Sequence, residues 1–154
     1  PTTDFAKEGL FNILENVYVD FEVSPTALDL FAGTGSIGLE LASRGCGKVV
    51  SVEKDFKHWQ FLSRVQKELQ IKEWLPLKGD VFKYVHTCRV QYDIIFADPP
   101  YALENLADIP DVALPLLAEG GVFILEHGSS YDFSQHPRFV NHRNYGSVNF
   151  SFFQ

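Results

Sequence analysis

The sequence predicts an α/β fold of Rossmann-like form: a mostly parallel seven-stranded sheet with helices on both faces and a C-terminal antiparallel hairpin. Three observations predict it. Short apolar runs alternate with helical patterns along most of the chain, the order that a parallel sheet with crossover helices requires. The first run is followed at once by Gly33-Thr34-Gly35-Ser36-Ile37-Gly38, a glycine loop of the kind that turns a strand tightly into a helix. The tail switches to a period of two, with Val148, Phe150 and Phe152 alternating with Ser147, Asn149 and Ser151.

The elements follow in order. From Thr3 to about Val19, the residues Ala6, Leu10, Ile13, Leu14 and Val17 recur at helical spacing, with Thr3 placed to cap and Asp4 in the positive first turn, so an amphipathic helix opens the chain. Thr26 to Phe31 is a nearly continuous apolar run, as a strand buried on both faces should be. Ser36 to Arg44 reads as a helix closed by Gly45, Lys48 to Glu53 as a second strand, and Asp55 to about Gln70 as a longer helix. Trp74 to Lys78 is a third strand, Val81 to Cys88 a short helix, and Tyr92 to Ala97 a strong fourth strand. A helix near Asp111 to Ala118 precedes a strand from Val122 to Glu126. Arg138 to Arg143, a turn at Asn144-Tyr145-Gly146 and the alternating tail then make a hairpin whose last strand is expected to be half-buried.

A length of 154 residues, 45% of them hydrophobic, gives one domain over residues 1–154 a real core without disulfides or metals. There is no internal repeat and no linker-like tract. Cys46 and Cys88 are far apart and belong to no paired ligand or redox spacing, so they read as reduced, buried thiols of a cytoplasmic protein. No apolar window matches a bilayer span, and the first residues lack the order of a secretory signal, which leaves no expected membrane partner. The chain starts at Pro1 and contains no Met, so we expect a trimmed chain or one from which modified methionines were dropped. A net charge of −7 is awkward for any partner bound through phosphates, which want clustered Lys and Arg. The histidines, His58, His86, His127, His136 and His142, show no metal-ligand spacing and no metal is expected. Surface or hairpin positions are the expectation for all five; for His127, which stands after Glu126 at a strand end, lining the pocket is the lesser alternative.

The glycine loop follows a strand and opens a helix, and Glu53 lies 20 residues after Gly33 at the end of the second strand. A carboxylate there can accept bonds from both vicinal hydroxyls of a ribose, so the pair of features points to an adenosine-bearing ligand. It does not choose between a dinucleotide and S-adenosylmethionine. Two acids tilt the choice: Asp29 would repel a pyrophosphate but suits the ammonium of a methionine moiety, and Asp80 could accept the adenine amino group. Their bland alternatives are a loop-fixing carboxylate and a helix cap before Val81. The residues expected around the ligand are Asp29, Phe31, Gly33, Thr34, Gly35, Gly38, Glu53, Lys54, Asp80 and Val81.

Asp98-Pro99-Pro100-Tyr101 directly follows the fourth strand, at the carboxyl edge of the sheet where such folds bind ligands. The two prolines stiffen the turn and remove two donors, leaving carbonyl oxygens and the Asp98 carboxylate as acceptors only. Such a pocket selects an NH₂ group. Hydrogen bonds from that amine to Asp98 and to the Pro99 carbonyl would localise its lone pair for attack on a sulfonium methyl, and Tyr101 would stack on a base turned out of its helix. Asp98, Pro99, Pro100 and Tyr101 are therefore the expected catalytic residues.

These residues resemble the RsmD family, bacterial enzymes that methylate the 2-amino group of a guanine in 16S ribosomal RNA. The resemblance runs almost the whole length: Pro1-Thr2-Thr3-Asp4, Lys7-Glu8, Leu10-Phe11-Asn12, Leu28-Asp29-Leu30-Phe31-Ala32-Gly33-Thr34-Gly35, Asp98-Pro99-Pro100-Tyr101 and Tyr145-Gly146. It implies a class I methyltransferase fold with S-adenosylmethionine as cofactor, Gly33, Gly35, Glu53 and Asp80 around that cofactor, Asp98 to Tyr101 at the target amine, and a ribosomal RNA substrate. An assembled small-subunit particle that supplies protein contacts as well accounts for the −7 balance, and a monomer is expected. It also implies that the segment from Pro1 and its helix, residues 3–19, lie over the cofactor pocket. Two departures remove positive charge: Phe5 stands where that family usually has arginine, and the basic hairpin that precedes the Pro-Thr-Thr segment is absent from this sequence. Alternatives left open by the residues are adenine amino methylation in DNA, a non-catalytic binding domain that assists ribosome assembly, and a nicotinamide dehydrogenase.

Overall fold

The computed structural model describes residues 2–154, in which seven strands form one sheet. In chain order the strands are β1 (Thr26–Leu30), β2 (Lys48–Glu53), β3 (Trp74–Lys78), β4 (Tyr92–Ala97), β5 (Leu117–His127), β6 (Phe139–Tyr145) and β7 (Val148–Phe153). They lie side by side as β3-β2-β1-β4-β5-β7-β6. The first five are parallel, β7 runs antiparallel to β5, and β6 antiparallel to β7. The order reverses direction between β1 and β4, which opens the crevice where ligands settle in such sheets.

Five helices cover the sheet: α1 (Asp4–Ile13), α2 (Ser36–Arg44), α3 (Phe56–Glu68), α4 (Val81–Thr87) and α5 (Ile109–Ala113). Their caps are those the residue types dictate. The Thr3, Asp55 and Asp80 side chains accept from the backbone N–H groups of Ala6, His58 and Lys83, and Gly45 closes α2 at φ +124°. Two apolar cores form, one per face. Ala27, Ile94 and Ile124 point to the face that α1, α2 and α3 cover, while Leu28, Ile95 and Phe123 point to the face of α4 and α5.

Three elements differ from the sequence expectation. The N-terminal helix ends its regular turns at Ile13 and widens into a π-helical turn over Leu14–Tyr18, which rotates Val17 off the apolar face and leaves it 63% exposed. Tyr18 takes the buried direction instead and stacks on Phe152 at 5.3 Å. The helix expected near Asp111 to Ala118 starts earlier, at Ile109 with Pro110 in its first turn, and tightens into a 3-10 turn at Leu114–Leu116, while β5 begins at Leu117. The hairpin turn is Gly146-Ser147, with Gly146 at φ +66°, and not Asn144-Tyr145-Gly146. All six residues of β7 are buried, because β7 is an interior strand between β5 and β6.

Candidate active site

Parallel pairing brings the carboxyl ends of β2, β1, β4 and β5 to one edge of the sheet. Because side chains alternate along each strand, Asp29, Ser51, Glu53, Asp98 and Glu126 all fall on the same face. Four carboxyl groups thus meet at one end of one layer. They border a cavity of about 1110 Å³, larger than the ~300–1,000 Å³ of most single-ligand sites.

The glycine loop forms one wall. Gly33, at φ +58°, has nothing within 4 Å of the place a Cβ would occupy, and its N–H donates to Glu53 Oε1 at 2.6 Å. Glu53 Oε2 accepts from the Asp55 N–H at 2.8 Å, so both oxygens are fixed by backbone while each keeps a lone pair for a hydroxyl. Phe31 holds a left-handed backbone at φ +59°, strained for a side chain of this size, and packs edge-on against Phe82 at 6.2 Å. The two rings make an apolar wall beside Asp80 and Val81. Asp80 caps α4 through Oδ1, accepting from Lys83 N at 3.1 Å, and borders the cavity as well.

Asp29 is fully buried at the back. Trp74 Nε1 donates to Ser51 Oγ at 2.8 Å, and Ser51 Oγ donates to Asp29 Oδ2 at 2.9 Å. Burial pushes the Asp29 carboxyl up to about 7 despite that bond. Asp98 is likewise raised to about 7, first by burial and then by the charge of Glu126. Glu126 is raised too, by burial, against the hydroxyl of Thr2, which donates to its Oε1 at 2.5 Å. Tyr101 stands 87% exposed at the mouth, its ring resting against Gly128. Beneath it, His127 Nδ1 bonds the Gly128 carbonyl at 2.8 Å and Nε2 bonds Ser151 Oγ at 2.7 Å, while burial lowers its pKa and keeps the ring neutral.

The structure gathers most of the expected residues: Asp29, Phe31, Gly33, Thr34, Glu53, Lys54, Asp80, Val81 and the whole Asp98-Pro99-Pro100-Tyr101 turn border the one cavity. Gly35 and Gly38 do not. A Cβ on Gly35 would meet Leu62 at 2.2 Å, and one on Gly38 would meet Ser51 Oγ at 2.4 Å, so both serve close packing of α2 and the loop against the sheet. Of the segment expected over the pocket, Pro1 lies outside the described residues, Thr2 borders the cavity, and α1 runs along α2 and the hairpin. Lys7 bonds Ser36 Oγ at 3.2 Å, Arg44 pairs with Glu15 at 2.7 Å, and Gly9 packs on Tyr145. Glu126, Phe82 and Tyr131 also border the cavity and had no motif to announce them. For Glu126 the signal is positional: it stands at the carboxyl end of β5, beside the strand that leads into Asp98.

Among the described residues, no cluster of acids, histidines and cysteines could hold a metal, and no helix is long and apolar enough to cross a membrane.

Comparison with known proteins bears on the fold and the family. The family model described as Conserved hypothetical protein 95 matches residues 1–154. The chain is 32% identical over 133 residues to YlbH of Bacillus subtilis, covering 82% of this chain and 70% of that protein. It is 33% identical over 101 residues to the ribosomal RNA small subunit methyltransferase D of Escherichia coli K12, covering 66% of this chain and 49% of that one. The chain thus spans about half the length of the latter relative. In structure it superposes on the Escherichia coli protein yhhF with a TM-score of 0.85 at 25% identity, covering 100% of this chain and 86% of the other. The fold is also that of the Thermus thermophilus 16S rRNA methyltransferase RsmC, with a TM-score of 0.75 at 24% identity over 99% of this chain and 43% of that one. The architecture is that of the class I methyltransferases, and the chain belongs to the Conserved hypothetical protein 95 family, which holds the RsmD proteins that its motifs resemble.

Proposed function

We propose that this chain transfers a methyl group from S-adenosylmethionine to the exocyclic 2-amino group of a guanine in small-subunit ribosomal RNA. The observation that carries the reading is one cavity bordered at one end by the Gly33 loop, Glu53 and Asp80 and at the other by the Asp98-Pro99-Pro100-Tyr101 turn. The relatives named as ribosomal RNA small subunit methyltransferase D supply the substrate class.

The residues fit the cofactor. Glu53 has lone pairs left for ribose hydroxyls, Phe31 and Phe82 offer an apolar wall to an adenine beside Asp80, and Asp29 offers a buried carboxylate to an ammonium. S-adenosylmethionine bound there supplies an electrophilic sulfonium methyl. Asp98 and the Pro99 carbonyl accept the two hydrogens of the amine, which draws its lone pair out of conjugation and aims it at that methyl. Tyr101, exposed at the mouth, offers a stacking face to a base swung out of the RNA, on the order of 1–3 kcal/mol per base. Once the methyl has passed to the nitrogen, its bond to the sulfonium sulfur broken and a neutral thioether left behind, the amine bears the positive charge and loses a proton, for which Asp98 is the adjacent acceptor, its raised pKa making it a base matched to neutral pH.

The net charge of −7 fits a substrate that is an assembled particle, in which ribosomal protein adds contacts that bare RNA lacks. A monomer acting in the cytoplasm on such particles completes the reading. The test is transfer of labelled methyl from S-adenosylmethionine to small-subunit particles that lack the modification, followed by nucleoside analysis. Label in N2-methylguanosine is expected, and Asp98→Ala should lower the rate by roughly two orders of magnitude or more; undiminished incorporation in that variant would overturn the assigned chemistry.

A further inference from the structure

Glu126 has no part in the chemistry just described, yet it borders the same cavity as Asp98. The β4–β5 ladder pairs Ala97 with Leu125, so Asp98 and Glu126 follow as neighbours, one step beyond, on strands about 4.8 Å apart. The pleat sends both to the same face. Thr2 Oγ1 occupies Glu126 Oε1, and Oε2 accepts no hydrogen bond among the described residues.

Two carboxylates so close repel one another, and half-burial makes the repulsion worse. A glutamine would hold Thr2 equally well with no charge at all. The second carboxylate makes chemical sense when the occupant of the cavity brings hydrogen-bond donors to both. Guanine does so: its Watson–Crick edge presents N1–H directly beside the 2-amino group, which is a continuous row of donors. Adenine presents an amine beside N1, a bare acceptor, and would set a lone pair against a carboxylate.

We propose that Glu126 is a specificity-determining residue for the base, its free oxygen accepting the N1–H of guanine while Asp98 and the Pro99 carbonyl hold the 2-amino group. This rests on the methyl-transfer reading of the site. Thr2 acts as a positioning residue, fixing the Glu126 rotamer from the segment that precedes α1. The division of labour explains how an Asp-Pro-Pro-Tyr turn, which by itself selects any aromatic amine, selects one base.

The test compares guanosine with 2-aminopurine riboside, which keeps the 2-amino group but has an unprotonated N1, as ligands of protein saturated with S-adenosylhomocysteine, by calorimetry. The wild type should prefer guanosine by roughly tenfold or more, the cost of facing a buried acceptor with another acceptor. Glu126→Gln should erase or invert that preference, because its amide can donate to N1. Glu126→Asp, which keeps the carboxylate, should retain the preference at lower affinity and guards against a variant that merely misfolds. A preference absent in the wild type, or unmoved in Glu126→Gln, overturns the assignment. Wild-type transfer to small-subunit particles is measured alongside: label in guanine with no such preference overturns Glu126 alone, whereas no label in any guanine overturns the reading beneath it.

Discussion

Gly38 carries no side chain because none would fit: a Cβ there would lie 2.4 Å from Ser51 Oγ and 2.9 Å from both Asp29 Oδ2 and Trp74 Nε1. Those are the atoms of the hydrogen-bond chain that aims Asp29 into the cavity. Gly38→Ala must push α2 outward or break the chain, and overpacking of this kind costs about 1–3 kcal/mol. We expect a lower melting temperature together with at least a several-fold loss of S-adenosylmethionine affinity by calorimetry; a variant with lowered stability but unchanged affinity would remove Asp29 from ligand binding. The glycine pattern was legible in the sequence, but the division within it was not. Gly33 opens onto the cavity whereas Gly35 and Gly38 face side chains from α3, β2 and β3, and which residues those are depends on packing between distant segments. Asp98 and Glu53 were readable because a local signal marked each, a Pro-Pro turn and a fixed distance from a glycine. Glu126 had no such signal, since its partner is set by strand register, which no local pattern encodes.

At the scale of elements, the bounds of β1 to β4 agree with the sequence reading to within a residue, whereas β5, expected from Val122 to Glu126, begins five residues earlier at Leu117. The errors fell where tertiary context overrides period. The tail alternates like a half-exposed strand, yet β7 is buried on both faces, with Phe150 and Phe152 in one core and Ser151 on the other side beside His127. Polar residues at alternate positions therefore mean a buried polar layer here and not a solvent face. Ser151 Oγ bonds His127 Nε2, and His142 Nε2 and Asn144 Nδ2 bond Asn149 Oδ1 behind it. Ser151→Ala leaves the neutral His127 ring one partner short under the Tyr131 and Phe133 rings, and should destabilise the fold by about 1–2 kcal/mol. Denaturant unfolding measures this. A loss no larger than that of an exposed serine would show that water or a rotated ring replaces the bond.

At the scale of the whole molecule, the sheet collects Asp29, Glu53, Asp98 and Glu126 at one edge, in a chain that is already −7. Burial inclines Asp29, Asp98 and Glu126 to hold protons. Asp29 and Asp98 each rise from 3.8 to about 7, and Glu126 rises as well. A folded-state pKa above the unfolded value means that the native state binds more protons than the unfolded chain between the two, so stability falls as pH rises across that interval. The stabilisation is fully present below about pH 4 for these groups and is lost as pH passes through about 7. The melting temperature should therefore be higher near pH 5 than at pH 8, and Asp98→Asn should raise it at pH 8 while flattening part of the slope. Saturating S-adenosylmethionine should flatten it further, because an ammonium beside Asp29 favours the ionised carboxylate and restores by Coulomb attraction what burial removed. By the same linkage the cofactor should bind more tightly at pH 8 than at pH 6, with proton release seen as a buffer-dependent heat. An affinity that weakens with rising pH over that range would place the ammonium elsewhere. On the proposed reading the destabilising cluster and the binding site are one feature: acid whose burial costs the fold stability as pH rises would be neutralised in stages, by the cofactor's ammonium at Asp29 and by the donors of the base at Asp98 and Glu126.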